Sequence, residues 1–143
     1  MPVRPAAEAD APACARILQD WLDATDWMPK LHGLAEAEGF VRARLMPQTL
    51  LIAGEARVEG FLCLAADGAI PALYVAETSR RRGIGAALLG AAKARAGRLR
   101  LWTFQANAGA RRFYRAHGFE EGRTTDGANE ERLPDVELRW AAA

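Results

Sequence analysis

An apolar extended run, Leu73-Tyr74-Val75, leads into Arg80-Arg81-Arg82-Gly83-Ile84-Gly85 and then into an alanine- and leucine-rich stretch reaching Ala96. The period changes from strand to helix across a basic turn that carries glycines. A chain built around this junction must set a strand end beside a helix start, which commits it to a fold with both kinds of element. The first N–H groups of such a helix have no partner within it, and the helix dipole places partial positive charge there. Glycines let a ligand come close to the backbone, and arginines add bidentate, charge-assisted bonds. The segment therefore predicts an anion site suited to a phosphate or pyrophosphate.

The rest of the chain continues the alternation. Val3-Arg4-Pro5 reads as short and extended. Asp10 ahead of Pro12 marks a helix start, and Cys14, Ile17, Leu18, Trp21 and Leu22 share one helical face. A loop through Thr25-Asp26-Trp27-Met28-Pro29 precedes a second amphipathic helix, marked by Leu34, Ala37, Val41 and Leu45 and ended by Pro47. Residues 50–53 and 58–64 read as a hairpin, and 69–75 as a third strand. After the helix over 83–96, residues 99–104 form a strand. Asn107 can cap a helix that Gly118 stops, and residues 119–120 and 136–140 complete the sheet. The order is strand, two helices, three strands, helix, strand, helix, two strands. It predicts a mixed α/β domain with one central sheet of six to seven strands and about four helices.

No repeat, low-complexity tract or linker divides the chain, so residues 1–143 are expected to form one domain around a single core. Hydrophobic residues make up 50% and charged residues 26%, which excludes a disordered or fibrous chain. No apolar stretch approaches the ~20 residues of a membrane span, and Met1-Pro2-Val3-Arg4-Pro5 carries no apolar leader; a cytoplasmic protein is expected. Cys14 and Cys63 share no ligand spacing with each other or with His32 and His117. They are read as buried reduced thiols, with no metal site. The net charge is only +1, yet residues 78–119 hold nine arginines, one lysine and no acid, and residues 120–137 hold seven acids. Pairing within the fold could absorb most of these charges; the triple arginine is harder to absorb that way.

Two common phosphate motifs fail. No Gly-x-x-x-x-Gly-Lys-Ser/Thr string exists. A dinucleotide turn would need a third glycine where Leu88 stands, and an acid about twenty residues on, where none lies between Glu77 and Glu120. Arg80-Arg81-Arg82-Gly83-Ile84-Gly85 instead resembles the Gln/Arg-x-x-Gly-x-Gly/Ala motif of the GNAT superfamily of N-acetyltransferases. Asn107-Ala108-Gly109-Ala110-Arg111-Arg112-Phe113-Tyr114 with Gly118-Phe119 resembles that family's Asn-x-x-Ala-x-x-Phe-Tyr-x-x-x-Gly-Phe segment. The order of strands and helices agrees along nearly the whole chain.

The resemblance implies a GNAT-like sheet and acetyl-CoA as donor, its pantetheine arm lying between two parallel strands that splay apart at a bulge. It implies that Leu73, Tyr74 and Val75 would bond that arm, and that Arg80, Arg81, Arg82, Gly83, Ile84, Gly85 and Ala86 would hold the pyrophosphate. Asn107 and Phe113 would lie beside the cofactor, and Tyr114 would be the general acid for the departing thiol. A primary amine, on a small molecule or a peptide, would attack the thioester directly. The base is open among Glu55, Glu59, Asp126, Glu130, Glu131, Asp135 and a water chain. An acyl-cysteine route through Cys63 lacks an activating partner. Trp27 and Met28 facing Glu130, Glu131 and Asp135 would suit a cationic acceptor. The competing readings are a non-catalytic acyl-CoA-binding module and a nucleic-acid binder; no stacking platform supports the latter, so no nucleic-acid partner is expected. Monomer or homodimer stays open.

Overall fold

The computed structural model describes residues 2–143. Strands β1 (Val3–Pro5), β2 (Thr49–Ala53), β3 (Gly60–Leu64) and β4 (Ala72–Val75) form one antiparallel sheet in that order. Strands β5 (Arg98–Phe104), β6 (Glu120–Thr125) and β7 (Asp135–Ala141) form another, ordered β5-β7-β6. Helices α1 (Ala11–Ala24), α2 (Leu34–Phe40), α3 (Ile84–Arg95) and α4 (Ala108–Ala116) complete the predicted sequence of elements.

The expected single sheet is thus two half-sheets, joined by one parallel bridge between Ala69 and Arg100. The cause lies at Pro71. Ile70 N–H donates to the Arg100 carbonyl (2.8 Å), and Arg100 N–H donates to the Gly68 carbonyl (3.0 Å). Further on, Ala76 N–H donates to the carbonyl of Glu59, the residue before β3 (2.8 Å). Backbone groups alternate direction along a strand, so even-numbered residues face β5 before Pro71 and β3 after it. The register agrees, setting Tyr74 opposite Phe61 and Ala72 opposite Cys63. Pro71 has no N–H to offer a neighbour and sits at the switch. Beyond it the N–H and C=O groups of Leu73 and Val75 turn away from β3, and β4 and β5 no longer pair.

Two apolar cores lie on opposite faces. On one, α1 buries Cys14, Ala15, Ile17 and Leu18 against Ile52, Phe61, Cys63 and Ala72. On the other, Ile84, Leu88, Leu89 and Ala92 of α3 meet Leu51, Leu62 and Leu64 of the first half-sheet and Leu99, Leu101 and Leu138 of the second. Helix α3 therefore holds the half-sheets together where hydrogen bonds do not. Each leucine removed from water there stabilises the fold by about 2 kcal/mol.

Local chemistry differs from expectation at two helix ends. The Asp10 carboxylate does not cap α1; it accepts from Ala7 N–H (2.7 Å) and from both Arg4 guanidinium nitrogens (2.8 Å each), closing a single 3-10 turn ahead of the helix. The second helix does not stay α-helical to Leu45. It widens over Val41–Leu45, where Met46 N–H donates to the Val41 carbonyl five residues back (2.9 Å). Both cysteines are free and buried, and burial pushes Cys14 up to about 12 and Cys63 up to about 11. No helix among the described residues is long and apolar enough to cross a membrane.

Candidate active site

Where β4 and β5 part, a cleft of about 570 Å³ opens between the half-sheets. Its two sides follow from strand alternation. Leu73 and Val75 pack towards the α3 core, while Tyr74 packs towards α1.

On the α3 side the chain passes through a 3-10 turn, Glu77–Ser79, and then takes left-handed backbone at Arg81 (φ 62°) and Gly83 (φ 80°). A non-glycine residue there is strained by about 1 kcal/mol, and the reversal of hand curls the turn into a concavity of N–H groups at the start of α3. A Cβ added at Gly85 would lie 3.2 Å from Phe113 Cζ, so glycine is what lets the Phe113 ring lie against the helix start. Arg80, Arg81, Gly83, Ile84, Gly85 and Ala86 all line the cleft. Among the described residues Arg80 and Arg81 have no carboxylate within ion-pair distance, whereas Arg100, Arg111, Arg115, Arg123 and Arg139 are each paired. Pairing in the fold thus absorbs part of the charge asymmetry; among the described residues Arg95, Arg98 and Arg112 also have no carboxylate partner, but only Arg80 and Arg81 of these line the cleft. An open cradle, unpaired N–H groups and two free guanidinium groups fit a pyrophosphate.

Arg82 departs from expectation. It turns away from the cleft to Glu59 (3.6 Å), whose Oε1 also accepts from the fully buried Ser79 hydroxyl (3.0 Å). Glu59, a candidate base in the sequence, instead buttresses the turn. Tyr74 departs too: its backbone faces β3 in register with Phe61, so only its side chain is available. The outward backbone groups of Leu73 and Val75 form the unpaired edge. Asn107 Oδ1 accepts from Ala110 N–H (3.1 Å) as the cap of α4. That cap aims Phe113 and Tyr114 into the cleft. Tyr114 is 7% exposed, and burial, with nearby Tyr74 adding to it, holds its phenol well above the ordinary value. It keeps its proton at neutral pH.

On the α1 side Tyr74 packs on Trp21 (5.4 Å between centroids), Trp21 on Trp27 (6.0 Å) and Trp27 on Phe104 (5.7 Å). Trp21, Tyr74 and Phe104 border the open volume, as do Trp102 and Thr103. Met28 is a buried plug. His32 Nδ1 lies 2.6 Å from a Glu36 carboxylate oxygen and Nε2 2.5 Å from one of Glu130, so the protonated ring donates to both and ties the α1–α2 loop to the β6–β7 loop. Asp135 is buried and engaged by the Thr125 hydroxyl (2.5 Å) and Asn129 Nδ2 (3.2 Å). Glu131 is half-buried, and its charge adds to the burial that pushes Tyr74 up to about 12. Trp21 and Phe104 escaped the sequence reading. Trp21 shares the apolar face of α1, and Phe104 ends an ordinary strand. The available signal was that Trp102 and Phe104 alternate with the buried Leu99 and Leu101.

Comparison with known proteins meets this geometry. The acetyltransferase (GNAT) domain family matches residues 47–121. A peptidyl-lysine N-acetyltransferase, YiaC of Escherichia coli, is 30% identical over 122 residues, covering 82% of each chain. The apo solution structure of YjaB from Escherichia coli superposes with a TM-score of 0.82 at 23% identity, covering 99% of this chain and 98% of that one. YncA from Salmonella typhimurium, solved with its cofactor acetyl-CoA, superposes at 0.74 with 18% identity, covering 99% and 94%. The two structural likenesses establish a shared fold.

Proposed function

The chain belongs to the GNAT acetyltransferase family, which uses acetyl-CoA, and from that premise we propose that it moves the acetyl group directly to a primary amine, with peptidyl lysine as the first acceptor to test. The 30% identical relative acts on peptidyl lysine by name. One observation carries the reading: an open N–H cradle with two unpaired arginines, an unpaired strand edge and a buried, protonated phenol meet in one cleft.

Bound acetyl-CoA supplies an acetyl thioester whose leaving group is a thiol. The N–H groups at Gly83–Ala86, with Arg80 and Arg81, would bind its pyrophosphate. The outward N–H and C=O groups of Leu73 and Val75 would align the pantetheine arm, and one of these N–H groups would polarise the thioester carbonyl. Asn107 positions α4, and the Phe113 ring packs beside the cradle. Tyr114 Oη holds the proton that the departing sulfur needs. Of the carboxylates considered as base, Glu59, Glu130 and Asp135 are engaged, and Glu55 and Asp126 are exposed. Half-buried Glu131 is the one of these neither engaged nor exposed, so the amine proton would leave through water towards it. Cys63, buried and pushed up to about 11, takes no part.

The test is mass spectrometry of lysine peptides and alkylamines incubated with acetyl-CoA, run beside a free-thiol assay. Stoichiometric thiol release with acetylated amine is expected. Saturable acetyl-CoA binding without transfer to any amine would mean a binding module instead.

A further inference from the structure

We infer that Trp21, Trp27, Tyr74 and Phe104 form the acceptor subsite and select a primary amine carried on an unbranched alkyl stem, such as a lysine side chain, over a peptide α-amine. This rests on the transferase reading above and adds the side chains that decide its substrate. The four rings come from separate places: α1, the α1–α2 loop, β4 and the end of β5. They nonetheless form an unbroken series of tilted and edge-on contacts at 5.4 to 6.0 Å, continued inward by Phe61 against Tyr74 at 5.7 Å.

A purely structural cluster would be buried. Each of these four rings keeps part of its surface exposed, and Trp21, Tyr74 and Phe104 border the open cleft. Ring faces carry negative charge density and attract an alkylammonium group. The charge around the cleft runs in the same sense, with unpaired Arg80 and Arg81 lining the α3 side and the charge of Glu131 reaching Tyr74 on the α1 side.

Stem shape follows from the same wall. A run of methylenes loses nothing among the rings, because it has no polar group to satisfy. An α-amine sits one carbon from a peptide carbonyl. Bringing its nitrogen to the reacting centre drags that carbonyl and the next N–H between apolar faces, where they lose their hydrogen bonds to water.

Steady-state kinetics at saturating acetyl-CoA test this with two acceptors: an Nα-blocked lysine peptide, and a lysine-free peptide with an unblocked α-amine. The lysine peptide should have the higher kcat/KM by about a hundredfold. Trp21→Leu and Phe104→Leu should each raise its KM about tenfold, the scale of a lost cation–π contact, with kcat and acetyl-CoA affinity kept within about threefold. Trp21→Phe should restore most of the loss, which separates ring chemistry from folding; circular dichroism checks that each variant folds, and if one does not, the other leucine variant and Trp21→Phe carry the comparison. Wild-type KM in a folded leucine variant, or equal use of the two peptides, would overturn the inference. Acetyl-CoA binding without transfer to either peptide would overturn the transferase reading and this inference with it.

Discussion

The two sides of the cleft are made of different material. The α3 side is mostly backbone: left-handed residues at Arg81 and Gly83, the open start of a helix, and a strand edge left unpaired after Pro71. The α1 side is mostly side chain, rings brought from four separate segments and acids from a long loop. A backbone surface presents the same N–H groups whatever the side chains are, so long as the glycines keep it open. A surface of rings changes with every substitution. The contrast suits a cleft whose donor is fixed and whose acceptor is chosen.

The contrast can be broken most severely at Gly85. Gly85→Leu should remove acetyl-CoA binding by more than about a hundredfold, roughly 2.7 kcal/mol, because the added atoms must displace Phe113 and fill the cradle. Arg81→Ala should weaken binding only several-fold, since one guanidinium is lost and the backbone stays. Titration calorimetry checks both, and the reverse ranking would mean that side chains make the donor wall after all.

Next in size is Tyr114→Phe, expected to lower kcat by about a hundredfold or more while leaving acetyl-CoA affinity within about twofold. The phenol's value is raised, so its acid form is complete below the ordinary tyrosine value of ~10 and is lost only above it. Wild-type kcat should therefore not fall between pH 7 and about 10. An alkaline decline near pH 8 would assign the acid role elsewhere.

The smallest effect belongs to the rim of the ring wall. Bonds to Glu130 and Glu36 raise His32 above its ordinary value, so the cationic tie between the two loops is complete at low pH and is lost as pH rises through the raised value. A proton-resolved titration of His32 should show a midpoint above ~6.5, falling in Glu130→Gln. A midpoint at or below that value would show the loops untied in solution.

Much of this was legible in the chain itself. The order of seven strands and four helices follows from period and punctuation, because Pro12, Asn107 and Gly118 act locally; of β6 only 119–120 was legible, because its polar run to Thr125 shows no apolar alternation. The anion turn was legible for the same reason: its glycines and arginines are contiguous. What did not show were properties that exist only between distant segments. Arg82 is indistinguishable from its neighbours until Glu59, far back in the chain, is folded beside it. Trp21 looks like core because its helical face is core along most of its length. The engagement of Asp135 depends on a loop closure by Thr125 and Asn129 that no periodicity signals. The division into half-sheets hinges on a phase change at Pro71, which composition records only as one more proline.

That phase change also bears on the order of events. Since β4 and β5 stay unpaired past Pro71, the gap runs through the sheet and opens towards both α3 and α1. If the acyl donor enters from the α3 side and the amine from the α1 side, neither needs to wait for the other. Random binding would then show as free coenzyme A competing with acetyl-CoA but not with the amine.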